Sequence, residues 1–237
     1  RNLQLQEAAE ASAPVQLAIT GLTRAKLLLY SGRFAQALLV AREGVDFMLK
    51  EYPEPNNLRG RAQWILGEAL LQSGRCDQAI PVLRAALADE ATMSGGKPTA
   101  NAGEAHDSLG RCLLVQGDVK AAVEILQKAE AQFTASSSAE DRRTLRSRIH
   151  RQWAVHVQAP TPQTLAALAG SRSELVKVLG SEETPVIWQL DLLLDGLSGK
   201  ADATRLSPER RRQIQQALAR EAASQQVPRF VGLNSSS

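Results

Sequence analysis

Two cysteines, three histidines and one glycine–lysine stretch are the places where this 237-residue chain could do chemistry. Cys76 and Cys112 lack the close paired spacing of a zinc site, and no histidine stands at ligand distance from either. His106, His150 and His156 are scattered, with no serine, cysteine or carboxylate placed as a triad partner would be. The stretch SGGKPT, residues 94–99, faintly resembles a phosphate loop. It lacks the glycine spacing, and Pro98 follows the lysine where a Ser or Thr would hold magnesium. Glu182, Glu183, Asp191 and Asp195 sit where ordinary acids sit, near helix starts and on exposed faces. No catalytic residue, metal ligand or cofactor site emerges, and the expectation is a chain that is not an enzyme.

Charge offers the next candidate. Arg142, Arg143, Arg146, Arg148 and Arg151 form the one dense cluster. Residues 1–141 carry 14 basic and 17 acidic side chains, whereas residues 142–237 carry 14 and 8. Such a skew suits an acidic peptide, a phosphorylated segment or nucleic acid, or simply a solvated face. No aromatic residues interleave with the arginines as single-stranded nucleic acid would favour, so nucleic acid ranks below a protein partner.

The elements that must position these residues are helical. Aromatic residues make up only 4% of the chain while Ala, Leu and Gln abound, which favours helix over sheet. No apolar run approaches the roughly 18 residues that cross a bilayer. WILGEALLQSGRCDQAI at 64–80 returns as SLGRCLLVQGDVKAAV at 108–123, and a weaker copy, LLLYSGRFAQALLVA, precedes both. The anchoring glycines Gly32, Gly74 and Gly117 stand 42 and 43 residues apart, each between two apolar helical stretches. Glycine takes the left-handed turn there without steric cost. Seven residues earlier lie Ala25, Gly67 and Gly110, small enough for close helix approach; Ala37, Ala79 and Ala122 are expected to face them.

This pattern resembles the tetratricopeptide repeat. Leu66, Gly67, Leu70, Ala79, Leu83 and Ala86 match its signature, as do Leu109, Gly110, Leu113, Ala122, Leu126 and Ala129. The period near 42 resembles the kinesin-light-chain variety, also found in bacterial signalling proteins. The extra residues are expected between units, at 52–60 and 88–103. The resemblance implies an all-α, right-handed superhelical solenoid of antiparallel helix pairs. It divides the chain into an N-terminal helix or partial repeat (1–14), three repeats (15–135), a degenerate fourth (142–180), C-terminal capping helices (181–225) and a flexible tail (226–237).

On that fold the first helix of each unit lines a concave groove. The family's groove positions fall on Leu22, Lys26 and Tyr30, then Arg61, Trp64, Glu68 and Gln72, then Glu104, Asp107 and Arg111, with Arg148 and Arg151 as equivalents in the fourth unit. Trp64 suits either an interface anchor or core packing. The repeat also sets Cys76 at the start of one helix and Cys112 late in the next. Those points can meet as a disulfide in an oxidising compartment, or as two buried thiols.

The function expected is a non-catalytic protein- or peptide-binding module, a scaffold or sensor, of a larger bacterial signalling or regulatory protein. The chain opens at Arg1 with no signal-peptide pattern, as a piece of a longer protein would. Self-association through residues 186–197 or stacked terminal helices is the alternative, as a homo-oligomer, and a nucleic-acid-associated regulator is another. A cytoplasmic location is favoured over the periplasmic sensor of a membrane-anchored kinase.

Overall fold

The computed structural model describes residues 2–197 and 207–223, and every element among them is an α-helix. The ten are α1 (Asn2–Tyr30), α2 (Phe34–Glu51), α3 (Asn57–Gln72), α4 (Cys76–Ser94), α5 (Ala100–Val115), α6 (Val119–Ser136), α7 (Arg142–Gln158), α8 (Pro162–Leu179), α9 (Pro185–Leu197) and α10 (Pro208–Ala223). The expected tail at 226–237 lies outside the described residues.

Each pair is closed by the same local chemistry. Gly32, Gly74 and Gly117 take φ of 72°, 73° and 84°. After each, the next amide reaches back to close a Schellman motif: Arg33 to the Leu28 carbonyl, Arg75 to Leu70 and Asp118 to Leu113. The starts are capped as well. Asn56, Thr99, Asp118 and Asp141 accept hydrogen bonds from first-turn amides, and Thr161 forms a capping box with Thr164. The residues expected to loop out at 88–103 instead lengthen helices. α4 runs on to Ser94 and α5 begins at Ala100, leaving a short turn at Gly95 and Gly96.

Packing then builds two layers. The first helices α1, α3, α5 and α7 contact one another in succession, while α2, α4 and α6 back them. A cross-section of the core shows why the small residues recur. A Cβ on Gly67 would lie 2.4 Å from the Leu83 side chain, and one on Gly110 would lie 2.5 Å from Leu126. So Leu83 and Leu126, rather than Ala79 and Ala122, fill the space the glycines leave. In the first unit the equivalent positions, Ala25 and Ala41, are both alanine, and both are fully buried. The notch and the side chain opposite it vary together.

One core runs from Ala18 to Leu126, joins the first three pairs and takes in Ala154 of α7. A second, built on Leu145, Ile149, Trp153, Leu168, Leu175 and the α9 residues Ile187, Leu190 and Leu194, seals the far end. The apolar face of 186–197 is therefore spent on the chain's own core.

Candidate functional site

All four inner helices contribute to one cleft of about 340 Å³. α1 supplies Lys26, α3 Arg61 and Trp64, α5 Asn101 and Glu104, and α7 Arg143. The Lys26 ammonium stands 5.4 Å from the Trp64 ring centre and 5.5 Å from that of Tyr30. Stacking of this kind is worth about 0.5–1 kcal/mol near a surface. Tyr30 is 46% exposed beside it, whereas Trp64 is 5% exposed and forms the floor.

Charge in the cleft is lopsided. Glu104 is the one acid lining it, and Arg146 already holds that carboxylate at 2.7 Å. Arg143 turns to Asp141 at 3.1 Å and stacks over Phe133. Lys26 and Arg61 make no ion pair among the described residues. Burial pushes the Lys26 ammonium below its ordinary value; Glu104 opposes this, and Arg61, Arg143 and Arg146 push it further down. Crowded like charge of this sort is relieved by an anion.

A turn further along the same helices, the other nominated positions are tied into the protein itself. Glu68 accepts from Gln72 at 2.7 Å, Ser108 at 2.6 Å and Arg111 at 2.5 Å. Arg111 Nε lies 3.1 Å from Asp107 Oδ2, an ion-pair contact without an aligned hydrogen bond, and Asp107 Oδ1 meets His150 Nδ1 at 2.9 Å. Asp107 is fully buried and Arg111 is 7% exposed. Burial pushes the Asp107 carboxyl up, but the Arg111 and Arg146 guanidiniums and the hydrogen bond with His150 together outweigh it and hold the group far below the usual carboxylate range. Burial pushes Glu68 up as well, but Arg111 together with the hydrogen bonds from Gln72 and Ser108 brings it below its ordinary value. This network bolts α3, α5 and α7 together. Leu22 is likewise fully buried and packs beside Gly44.

Arg148 and Arg151 are placed elsewhere. Arg148 pairs with Glu130 on α6 and Glu174 on α8, each at 2.8 Å, and Arg151 reaches Glu130 at 2.7 Å. The inner stripe of α7 is Arg143, Arg146 and His150, which repeats the i, i+3, i+7 spacing of Arg61, Trp64 and Glu68. That spacing was the signal for Arg143 and Arg146. Most of the arginine cluster is thus paired within the fold, leaving Arg142 exposed and in no ion pair among the described residues.

Cys76 and Cys112 are free thiols, both buried. Among the described residues no group of three His, Cys, Asp or Glu could hold a metal ion, and no helix is long and apolar enough to cross a membrane.

Comparison with known proteins agrees with this geometry. The tetratricopeptide-repeat family model matches residues 22–91 and 66–137. A Podosopora anserina kinesin-light-chain-type protein with nearly identical TPR-like repeats superposes with a TM-score of 0.58, at 18% identity over 90% of this chain and 95% of its own. A Rap protein complexed with Competence and Sporulation Factor gives a TM-score of 0.66 at 14% identity, over 89% of this chain and 55% of the Rap chain. No curated protein matches the chain. At such identities the structures speak for the fold, and the family match for the repeats: residues 22–137 carry tetratricopeptide repeats, in an all-α solenoid folded like kinesin-light-chain-type repeats.

Proposed function

We propose that the chain is a non-catalytic binding module that takes a partner peptide along its inner face and seats an acidic side chain of that peptide in the Lys26–Arg61 cleft. The tetratricopeptide fold itself suggests a protein-interaction scaffold. The observation that carries the finer reading is the surplus of cations. Lys26 and Arg61 line the cleft without an ion pair among the described residues, while its single lining acid, Glu104, is held by Arg146 and its third cation, Arg143, pairs with Asp141. A carboxylate arriving there would gain charge-assisted hydrogen bonds at little reorganisation cost. The Rap protein of like fold is complexed with Competence and Sporulation Factor, which supports a bound partner by analogy. Within a larger signalling protein, the setting implied by the sequence resemblance, the module would recruit or sense that partner.

Nucleic acid is disfavoured because the dense arginine cluster is internally paired and the Trp64 ring is covered. Self-association through residues 186–197 is disfavoured because that face belongs to the second core.

A random peptide library displayed against the folded chain tests the reading. Selected peptides should be enriched in Asp and Glu. In fluorescence anisotropy they should weaken about tenfold or more, roughly 1.4 kcal/mol, with Lys26→Ala or Arg61→Ala. Arg84→Ala, on the exposed face of α4, should leave binding unchanged. Selected peptides that bind Lys26→Ala and Arg61→Ala as well as the parent would defeat the proposal.

A further inference from the structure

Each first helix of a unit presents three sides to its surroundings. On α3 and α5, Gly67 and Gly110 face the second helix of their own unit, at Leu83 and Leu126. Arg61 and Trp64 of α3 and Glu104 of α5 line the cleft. The third side carries Ala62, Leu66 and Ala69 in α3 and Ala105, Leu109 and Cys112 in α5, all of them buried. In α7 the same register falls on Thr144, Arg148 and Arg151, and there the ion pairs name its neighbour. Both arginines meet Glu130 of α6, the second helix of the preceding unit, at 2.8 and 2.7 Å. α3 and α5 likewise pack on α2 and α4. The third side is the joint between units.

Counted back from the turn glycine Gly32, that register in α1 falls on Thr20, Arg24 and Leu27, with Leu17 one turn earlier. All four side chains are exposed, Leu17 at 73% and Leu27 at 63%. Among the described helices α1 packs on α2 and α3 alone, so nothing covers this side. Arg24 makes no ion pair among the described residues. Thr20 and Arg24 stand where α7 has Thr144 and Arg148, the same two residue types. In α7 a helix bearing a glutamate covers them; in α1 they are open.

We propose that the stripe Leu17, Thr20, Arg24 and Leu27 is a docking surface for an amphipathic helix of another protein, which sets a carboxylate against Arg24 and covers the two leucines with apolar side chains. Leucines this open leave apolar area in water, and a helix packed across them removes it. They stand ten residues apart, about 15 Å along the axis, so the partner helix needs about three turns. Arg24 lies between them. A carboxylate there repeats the Arg148–Glu130 contact of the α6–α7 joint as a charge-assisted hydrogen bond. Residues 14–30 hold Arg24 and Lys26 and no acid, so the same stripe of a second copy offers the arginine no counter-charge. Lys26 lines the cleft from a different side of α1, and the cleft stays open when a helix docks on the stripe.

Peptides of 18 residues, the length of α6, are displayed as a helix-biased library and selected on the folded chain. Counter-selection uses Leu17→Asp/Leu27→Asp, whose circular dichroism and melting temperature should match the parent because both sites are exposed. Retained peptides should carry an acid flanked by apolar residues at helical spacing. In fluorescence anisotropy they should weaken about tenfold or more with Leu17→Asp/Leu27→Asp and with Arg24→Glu. Exchanging the peptide's acid for lysine should restore binding to Arg24→Glu, a readout that stands even if the leucine variant fails to fold. Arg84→Ala should leave binding unchanged. A selection that retains no peptide, or peptides that bind Arg24→Glu as well as the parent, would overturn the proposal. So would sedimentation velocity showing that the parent pairs with itself and that Leu17→Asp/Leu27→Asp abolishes the pairing, since a second copy would then be the occupant.

Discussion

Replacing Gly67 with alanine is a sharp test of how the repeats are packed. On an exposed helix the change would stabilise by about 1 kcal/mol through helix propensity. Here the new methyl would sit 2.4 Å from Leu83 Cδ2 and 2.5 Å from Cγ, more than 1 Å inside ordinary contact. Leu83 is fully buried and cannot swing into solvent. Overpacking of this kind costs roughly 1–3 kcal/mol, and a clash this deep belongs to the upper half of that range, so after the propensity gain the net loss should be about 1–2 kcal/mol. Leu83→Ala alone should cost about 2–5 kcal/mol by leaving a cavity. The double variant Gly67→Ala/Leu83→Ala recreates the Ala25 and Ala41 combination of the first repeat, and its added methyl enters the vacated space. It should therefore be more stable than Leu83→Ala, with a coupling on the order of 1–3 kcal/mol. Urea denaturation followed by far-UV circular dichroism measures all four corners of this cycle. Additivity to within about 0.5 kcal/mol, or a Gly67→Ala protein as stable as its parent, would refute the notch-and-knob account.

Gly74→Ala should cost about 1–2 kcal/mol for a different reason, since φ is +73° and no atom opposes a Cβ there; equal melting temperatures would contradict this. Asp107→Ala leaves Arg111 to Glu68 alone and removes the partner of His150 Nδ1, and should cost about 1–3 kcal/mol in the same denaturation assay. Because Glu68 and Asp107 titrate below their ordinary values when folded, the unfolded chain takes up protons first on acidification. Their contribution is complete above the carboxylate range near about pH 4 and is lost as pH falls below it. His150, held neutral by burial despite Asp107, adds an earlier loss as pH drops through about 6.5. A stability–pH profile that stays flat between neutrality and pH 3 would contradict both signs.

Much of the fold was written locally in the chain. Three glycines at matching offsets mark the turns because only glycine takes that φ cheaply, and Asn56, Thr99 and Thr161 mark starts through their capping oxygens. What spacing conceals is register between helices. Glu68 and Arg111 are 43 residues apart, and nothing in either helix alone says that their charges meet inside the inner layer. The fourth pair shows the same limit. It has no glycine anchor at its turn, so the stripe of α7 could be set wrongly, on Arg148 and Arg151 in place of Arg143 and Arg146. Nor could composition separate arginines spent on internal carboxylates from the cations left over. That distinction turns a basic sequence cluster into a largely neutral face and shifts the cleft to Lys26 and Arg61.

Where a bound peptide lies is the question on which the proposed function rests. A photo-crosslinking side chain at Asn57, an exposed and uncharged position at the cleft, leaves the cations intact; the same group at Arg84 reports from α4. With an acidic peptide selected on the parent chain, the inner-face account predicts efficient crosslinking from position 57 and none from position 84. Capture from position 84 with none from 57 would place the partner on the opposite layer and contradict it.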